Sequence, residues 1–421
     1  MPPGPAGARH GWLRALGTVL AGLVAMGVVA SLGLWAAGAA DLPDNAFPRV
    51  VAATVVTAVG GALELSGDAG GFADTDAGLT VLPLSVTLAG ALVIAWGFLR
   101  PLRHRGAVAG VAELAGWAGR IAVLWLLALL ALAFAARQTF EISLGEGLLD
   151  QLGDLFGVTP TVGFTTDVPL TVLFGLLWLA GVLVLALLVS CGAPLPGRPA
   201  RLRASVRPAA YAMAALLLAY VVVGGVVGLV VAGTRGHPAD TFAVLLLGLP
   251  NLAWLAFTIG LGATWDGRVE GPFGLPMPHV LDEVLRTPDV SALNLGALTD
   301  HDGRWWWLLV AAAVLLLAAG FVLASRSPAG TPVWLHAVRM AVALALTVLM
   351  VGLLGRISAH YGLSVLGIGD LDGGLSGQLF LRPRLWPAVG LALLWGLVTG
   401  FLGASLARWA GGRRGRTTAR S

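Results

Sequence analysis

The residues whose types could do chemistry are few. Leu249-Pro250-Asn251 stands in the middle of an apolar stretch, 241–263. Proline removes a backbone donor, and its ring crowds the turn before it. The freed carbonyls and the Asn amide then need partners where water is scarce. Broken membrane helices of this kind present helix ends and bare carbonyls to a solute or ion. A kinked helix satisfied by its neighbours is the plainer reading. Glu64 and Asp266 each follow such a segment, and they are the candidate carboxylates of an outward-facing path. Arg120 and Arg339 open two similar helices, with Glu113 two turns before Arg120. Charge at the bilayer centre is costly and therefore often functional. These charges lie close enough to helix ends to snorkel, so anchoring explains them as well as transport does.

Other constellations carry less. His279, Asp282 and Glu283, followed by Asp300, His301 and Asp302, offer the oxygen and imidazole groups that suit a divalent cation. Neither an HExxH pattern nor a cysteine pair accompanies them, so a solvated acidic loop is expected, with no metal site. Gly374-Leu375-Ser376-Gly377 has the form of an intramembrane serine protease motif, but the required later histidine is missing. Without a Walker A pattern the chain holds no ATP engine. Cys191 is the single cysteine, which excludes an intrachain disulfide and a cysteine metal site. Neither a catalytic constellation nor a cofactor is expected.

The elements that must position these residues follow from composition. Of 421 residues, 57% are hydrophobic and only 11% charged, and mean hydropathy is +0.86. Soluble chains carry about 25% charged residues, so the lipid bilayer is the natural solvent and principal partner. The 26 basic residues are all arginine. They fall mainly at helix ends, where they read as topology signals and not as a nucleic-acid stripe.

A spanning helix needs about 20 apolar residues. Eight stretches reach or approach that length: 15–39, 79–99, 114–136, 168–190, 209–232, 305–325, 337–355 and 385–406. The first is too long for a signal-peptide core and reads as an uncleaved span. Segments 47–65 and 241–263 are ambiguous, and both read as broken or re-entrant. Trp305-Trp306-Trp307 reads as an interfacial belt. Gly224-x-x-x-Gly228 and Gly396-x-x-x-Gly400 permit close helix contact. The positive-inside rule places both termini in the cytoplasm, with residues 192–208 a basic cytoplasmic linker. Residues 1–14 and 407–421 are then cytoplasmic tails.

The two parts of the chain echo one another at a spacing near 220 residues. Ala118-Gly119-Arg120-Ile121-Ala122-Val123 matches Ala337-Val338-Arg339-Met340-Ala341-Val342. Leu176-Leu177-Trp178 matches Leu393-Leu394-Trp395, and Gly97-Phe98 matches Gly320-Phe321. Gly61-Ala62-Leu63-Glu64 lies against Gly262-Ala263-Thr264-Trp265-Asp266, after which the second half carries an insertion. The expected fold is an all-α integral membrane protein with about eight transmembrane helices. They form two parallel four-span repeats, 15–191 and 209–406, the second with an extracytoplasmic loop at 264–304.

Leu247-Gly248-Leu249-Pro250-Asn251, Trp254 and Trp265-Asp266-Gly267 resemble the streptophobe family, as do Leu82-Pro83-Leu84, Phe98-Leu99-Arg100-Pro101 and Leu363-Ser364-Val365-Leu366-Gly367. The resemblance runs from about residue 15 to 406. It implies an actinobacterial plasma-membrane protein and brings no activity with it. The expected function is permease-like or channel-like, with an unknown solute and a path between the halves. The competing expectation is a non-transport scaffold or envelope-assembly protein with a membrane protein partner. A homo-oligomer is open under either.

Overall fold

The computed structural model describes residues 5–42, 46–68, 73–104, 111–141, 161–190, 200–234, 238–269, 285, 290–328, 330–365 and 377–418. The first half begins with α1 (Pro5–Ala36) and a short α2 (Phe47–Ala58), followed by β1 (Leu63–Asp68) and β2 (Ala73–Thr80). It continues with α3 (Leu84–His104), α4 (Val111–Ala135), β3 (Gln138–Glu141), β4 (Thr161–Thr166) and α5 (Val168–Val189). The second half has α6 (Ala200–Thr234), α7 (Pro238–Gly260), β5 (Trp265–Val269), β6 (Ser291–Leu293) and a short α8 (Leu295–His301). Next come α9 (Trp307–Arg326), α10 (Val333–Leu354), β7 (Ile357–Val365), β8 (Gly377–Pro383) and α11 (Leu385–Thr418).

Among the described residues, nine helices are long and apolar enough to cross a membrane: α1, α3 to α7 and α9 to α11. The chain is a helical, multi-pass membrane protein. Segment 241–263 supplies the ninth helix. The other ambiguous segment, 47–65, divides into the 12-residue α2 and the start of β1. Helix also reaches into the expected tails and linker: α1 begins at Pro5, α6 at Ala200, and α11 ends at Thr418.

The helices bury one stripe and leave the other apolar. On α10 the buried stripe is His336, Met340, Leu344, Thr347, Val348 and Val351, at three- and four-residue spacing. On α6 Val222, Val226 and Val230 are each more than half exposed. In water that face would be costly; against lipid tails it is not. Glycine sets the closest approaches. A Cβ at Gly396 would lie 2.4 Å from the Ala341 Cα, and one at Gly403 would lie 2.4 Å from the Gly320 carbonyl carbon. So α11 rests backbone-to-backbone on both α10 and α9.

The eight strands were not anticipated from sequence. They form one antiparallel sheet in the order β3-β4-β1-β2-β7-β8-β5-β6. The sheet covers one end of the bundle. It joins the C-terminal ends of α2, α4, α7 and α10 to the N-terminal ends of α3, α5, α9 and α11. The joint between the halves is β2 on β7, eight residue pairs from Ala73↔Val365 to Thr80↔Ser358.

Each set of four strands follows the same pattern. The order β3-β4-β1-β2 corresponds to β7-β8-β5-β6. Leu63 pairs with Thr166 and Leu79, and Trp265 pairs with Pro383 and Leu293. The turn leading into each set is the same as well. Gly60 (φ 91°) and Gly262 (φ 93°) occupy the left-handed region where a side chain is disfavoured. Each donates its N–H three residues back, to Thr57 O and Ile259 O. Asp167 N donates to Ala62 O, and Arg384 N donates to Thr264 O. Gly60 and Gly262 are 202 positions apart, and at that same spacing Pro48 lies on Pro250.

Candidate functional site

The two prolines differ in setting. In α2, Pro48 sits in the first turn, where a missing N–H costs nothing. In α7, about three turns of helix precede the equivalent position, so Pro250 falls inside a helix. The helix does not end there. The stretch expected to be broken is continuous from Pro238 to Gly260.

Just before the proline, a residue from the other half enters the hydrogen-bond ladder. Ser85, at the start of α3, donates its hydroxyl to Leu245 O (3.0 Å) and accepts from Leu249 N (3.1 Å). One hydroxyl thus bridges the 245–249 step of the ladder, and a side chain inserted there is a recognised cause of local bending. Asn251 clamps the same junction. Its Nδ2 donates to Leu82 O at 2.9 Å, and its Oδ1 accepts from Leu84 N at 3.1 Å. Leu84 N, in the first turn of α3, would otherwise lack an intrahelical acceptor. Pro250 is buried and Asn251 half-buried.

A cavity of about 80 Å³ lies beside this clamp. Leu84, Asn251, Trp254, Trp265, Val351 and Leu381 contribute to its walls, so its lining is almost wholly apolar. The two tryptophans have their ring N–H groups engaged, Trp254 with Leu217 O (3.2 Å) and Trp265 with Thr258 Oγ1 (3.0 Å). The Asn251 amide is also committed to backbone groups, which leaves the cavity suited to hydrocarbon and not to an ion.

The remaining candidates are not gathered here. Asp266 lies on β5, two strands from the joint, and forms a bidentate pair with Arg384 in which the Nη2–Oδ1 distance is 2.8 Å. The hydrogen bond and charge of Asp266 hold the Arg384 guanidinium above the usual arginine pKa. Glu64 is on β1 opposite Thr165, at the position that corresponds to Asp266. Arg120 packs against α1 beside Gly11. Arg339 lies one turn after the buried His336. Its Nη1 and the His336 Nδ1 are buried without a protein hydrogen-bond partner among the described residues. Both arginines sit in the parts of their helices remote from the sheet.

Asp302 accepts from Arg304 N and caps the short 3₁₀ turn Gly303–Trp306. Trp306 and Trp307 are exposed and stacked at 4.4 Å, whereas Trp305, read with them as a belt, packs against the buried cluster around Trp265. His279, Asp282, Glu283, Gly374, Leu375, Ser376 and Cys191 lie outside the described residues. Among the described residues no group of three or more His, Cys, Asp or Glu is placed to hold a metal ion.

Sequence reasoning missed Ser85 and Arg384. Ser85 immediately follows Leu82-Pro83-Leu84, and a lone serine at a helix start reads as a cap. No family model matches the chain, and no curated protein or solved structure matches it.

Proposed function

We propose that this multi-pass membrane protein works as an interaction scaffold, holding an eight-stranded platform against one face of the membrane. The carrying observation is the β2–β7 joint, which makes a single sheet of strands from both halves. Ser85 and Asn251 fasten the helices directly beneath it. Rocking the halves apart on that side would break eight residue pairs and the clamp together. The interior also argues for a static body. The buried clusters of the two halves are built from Leu, Val, Ala, Ile, Met and aromatic side chains. Their buried threonines, such as Thr347 and Thr399, donate to carbonyls of their own helices. An ion-coupled path would call for charge deep in the span, whereas the buried side-chain atoms of His336 and Arg339 lie near the start of α10, away from the sheet.

The same reading includes topology, ancestry and place. The chain is two copies of one unit, supported by the matched strand order, registers and glycine turns. With one sheet on one face, α5 and α6 cross, so α7 begins and ends on the sheet side and does not add a crossing. Both termini then lie on the opposite face. Arg14, Arg100, Arg207, Arg326 and Arg408 gather towards that face, which makes it cytoplasmic by the positive-inside rule. The plasma membrane as location and membership among the streptophobe proteins are part of this proposal and rest on composition and motifs.

A permease-like role is the second reading. The locally opened ladder of α7 and the apolar cavity at the joint favour it, and a hydrocarbon-rich solute would fit. Two measurements decide between them. Crosslinking in native membranes from a photoreactive residue at exposed Thr80 should capture one abundant protein if the chain is a scaffold. Purified protein in liposomes should move nothing across a panel of ions, amphiphiles and small solutes. Specific flux without a captured partner would reverse the preference.

A further inference from the structure

The way the halves join leaves a second, identical joint unused. A two-fold pairing of four-stranded sheets would bring like edges together, β2 on β6. Instead β2 of the first half meets β7, the strand corresponding to β3. The contact is head-to-tail, and such contacts do not exhaust themselves. Among the described residues, the outer strands of the sheet are β3 and β6. These are the counterparts of β7 and β2, the two strands that already pair inside the chain.

We infer that a second copy of this chain docks by this edge, β6 of one molecule pairing antiparallel with β3 of the next. The inference rests on the repeat reading given above. The register follows from it. Gly78↔His360 and Leu79↔Ala359 are pairs of the internal joint. Ala292 and Leu293 stand where Gly78 and Leu79 do, opposite Asp266 and Trp265 as those are opposite Glu64 and Leu63. Glu141 and Phe140 stand where His360 and Ala359 do, opposite Thr161 and Val162 as those are opposite Gln378 and Leu379. The expected intermolecular pairs are therefore Ala292↔Glu141 and Leu293↔Phe140.

The helices beneath favour the same geometry. Across the internal joint, α7 packs on α1 and α3. The corresponding contacts, α2 on α6 and α9, are not made to any comparable extent among the described residues. A neighbouring copy would bring its α2 beside α6, whose outer face is the exposed valine stripe 222–230. Unpaired strand edges are templates for pairing with another chain. Because the two halves share one orientation in the bilayer, repeating their relation keeps each added copy upright. Closure would give a ring, and non-closure a row.

The test uses full-length protein in native membranes with Cys191→Ser. One chain carries Glu141→Cys and one tag; a second, co-expressed, carries Ala292→Cys and another tag. Mild oxidation should yield a dimer containing both tags. Ala292→Cys alone should give no homodimer, because like edges never meet in a head-to-tail contact. Three results overturn the inference: no mixed dimer, homodimer as abundant as mixed dimer, or crosslinking of both cysteines within one chain when they are combined. The pair Gly78→Cys and His360→Cys separates failures. If it crosslinks within the chain while the mixed dimer does not form, assembly alone is refuted. If it also fails, the repeat reading fails with it.

Discussion

Ser85 is the least conspicuous residue of the clamp and carries the most specific expectation. Replacing it with alanine leaves Leu249 N and Leu245 O without a bridge in an apolar setting. A buried polar group left unmade costs about 1–3 kcal/mol. Ser85→Ala should therefore lower the thermal midpoint in detergent clearly. Pro250→Ala should relieve part of that cost, because the ladder could then close on itself. A double-mutant cycle should show coupling of about 0.5–3 kcal/mol, and strict additivity would sink the ladder account. Asn251→Ala removes one donor and one acceptor and should cost about as much as Ser85→Ala. Arg384→Gln should leave the thermal midpoint nearly unchanged and lose what effect it has in high salt, since the Asp266 pair is open to solvent. Pro250 and Asn251 were visible in the sequence as an oddity, but their explanation was not. Ser85 lies over 160 residues away in the chain, and nothing in local spacing points across such a gap.

Among the elements, the glycines of α11 separate close packing from mere abundance. Gly403→Ala would push a methyl group into the α9 backbone and should cost about 1–3 kcal/mol. Gly390 has nothing within 4 Å of an added Cβ, so Gly390→Ala should be neutral or slightly stabilising, as read by midpoint shifts side by side. The spacing Gly396-x-x-x-Gly400 was legible, and both residues do meet α10. Gly403 was not singled out, because nothing in its surroundings marks it among 59 glycines. Hydropathy located the helices well, since twenty apolar residues in a row have few other uses. Strands were invisible for the opposite reason. Stretches such as Ala73–Thr80, with two aspartates, have neither strong alternation nor apolar content. They are held by partners distant in sequence.

For the whole molecule, the topology is the first thing to measure. Cysteines at Thr80 and Ser291 should react with a membrane-impermeant thiol reagent from the same side, and cysteines at Ser327 and Thr418 from the other. Labelling of Thr80 and Ser291 from opposite sides would be incompatible with a shared sheet. The two-copy reading proposed above was suggested in the sequence by matches at a spacing near 220. The most telling match, Pro48 on Pro250, occurs at 202, before the insertion between β5 and β6 shifts the frame. In the sequence, Gly61–Glu64 already lies against Gly262–Asp266 near this spacing, but the match was not carried back to the proline. Pro48 opens a helix and Pro250 stands inside one, so the two prolines do not read alike.

The joint between β2 and β7 also sets an order of events during synthesis. Val365 follows Ala73 by about 290 residues, so at about 5–20 residues per second the edge of β2 waits roughly 15–60 s for its partner to emerge. Over that interval the first half must remain in the bilayer with an open strand edge on the membrane face. A ribosome that stalls within the second half would leave that edge permanently available, and a nascent chain in this condition is the form most exposed to mispairing and to proteases that survey membrane insertion.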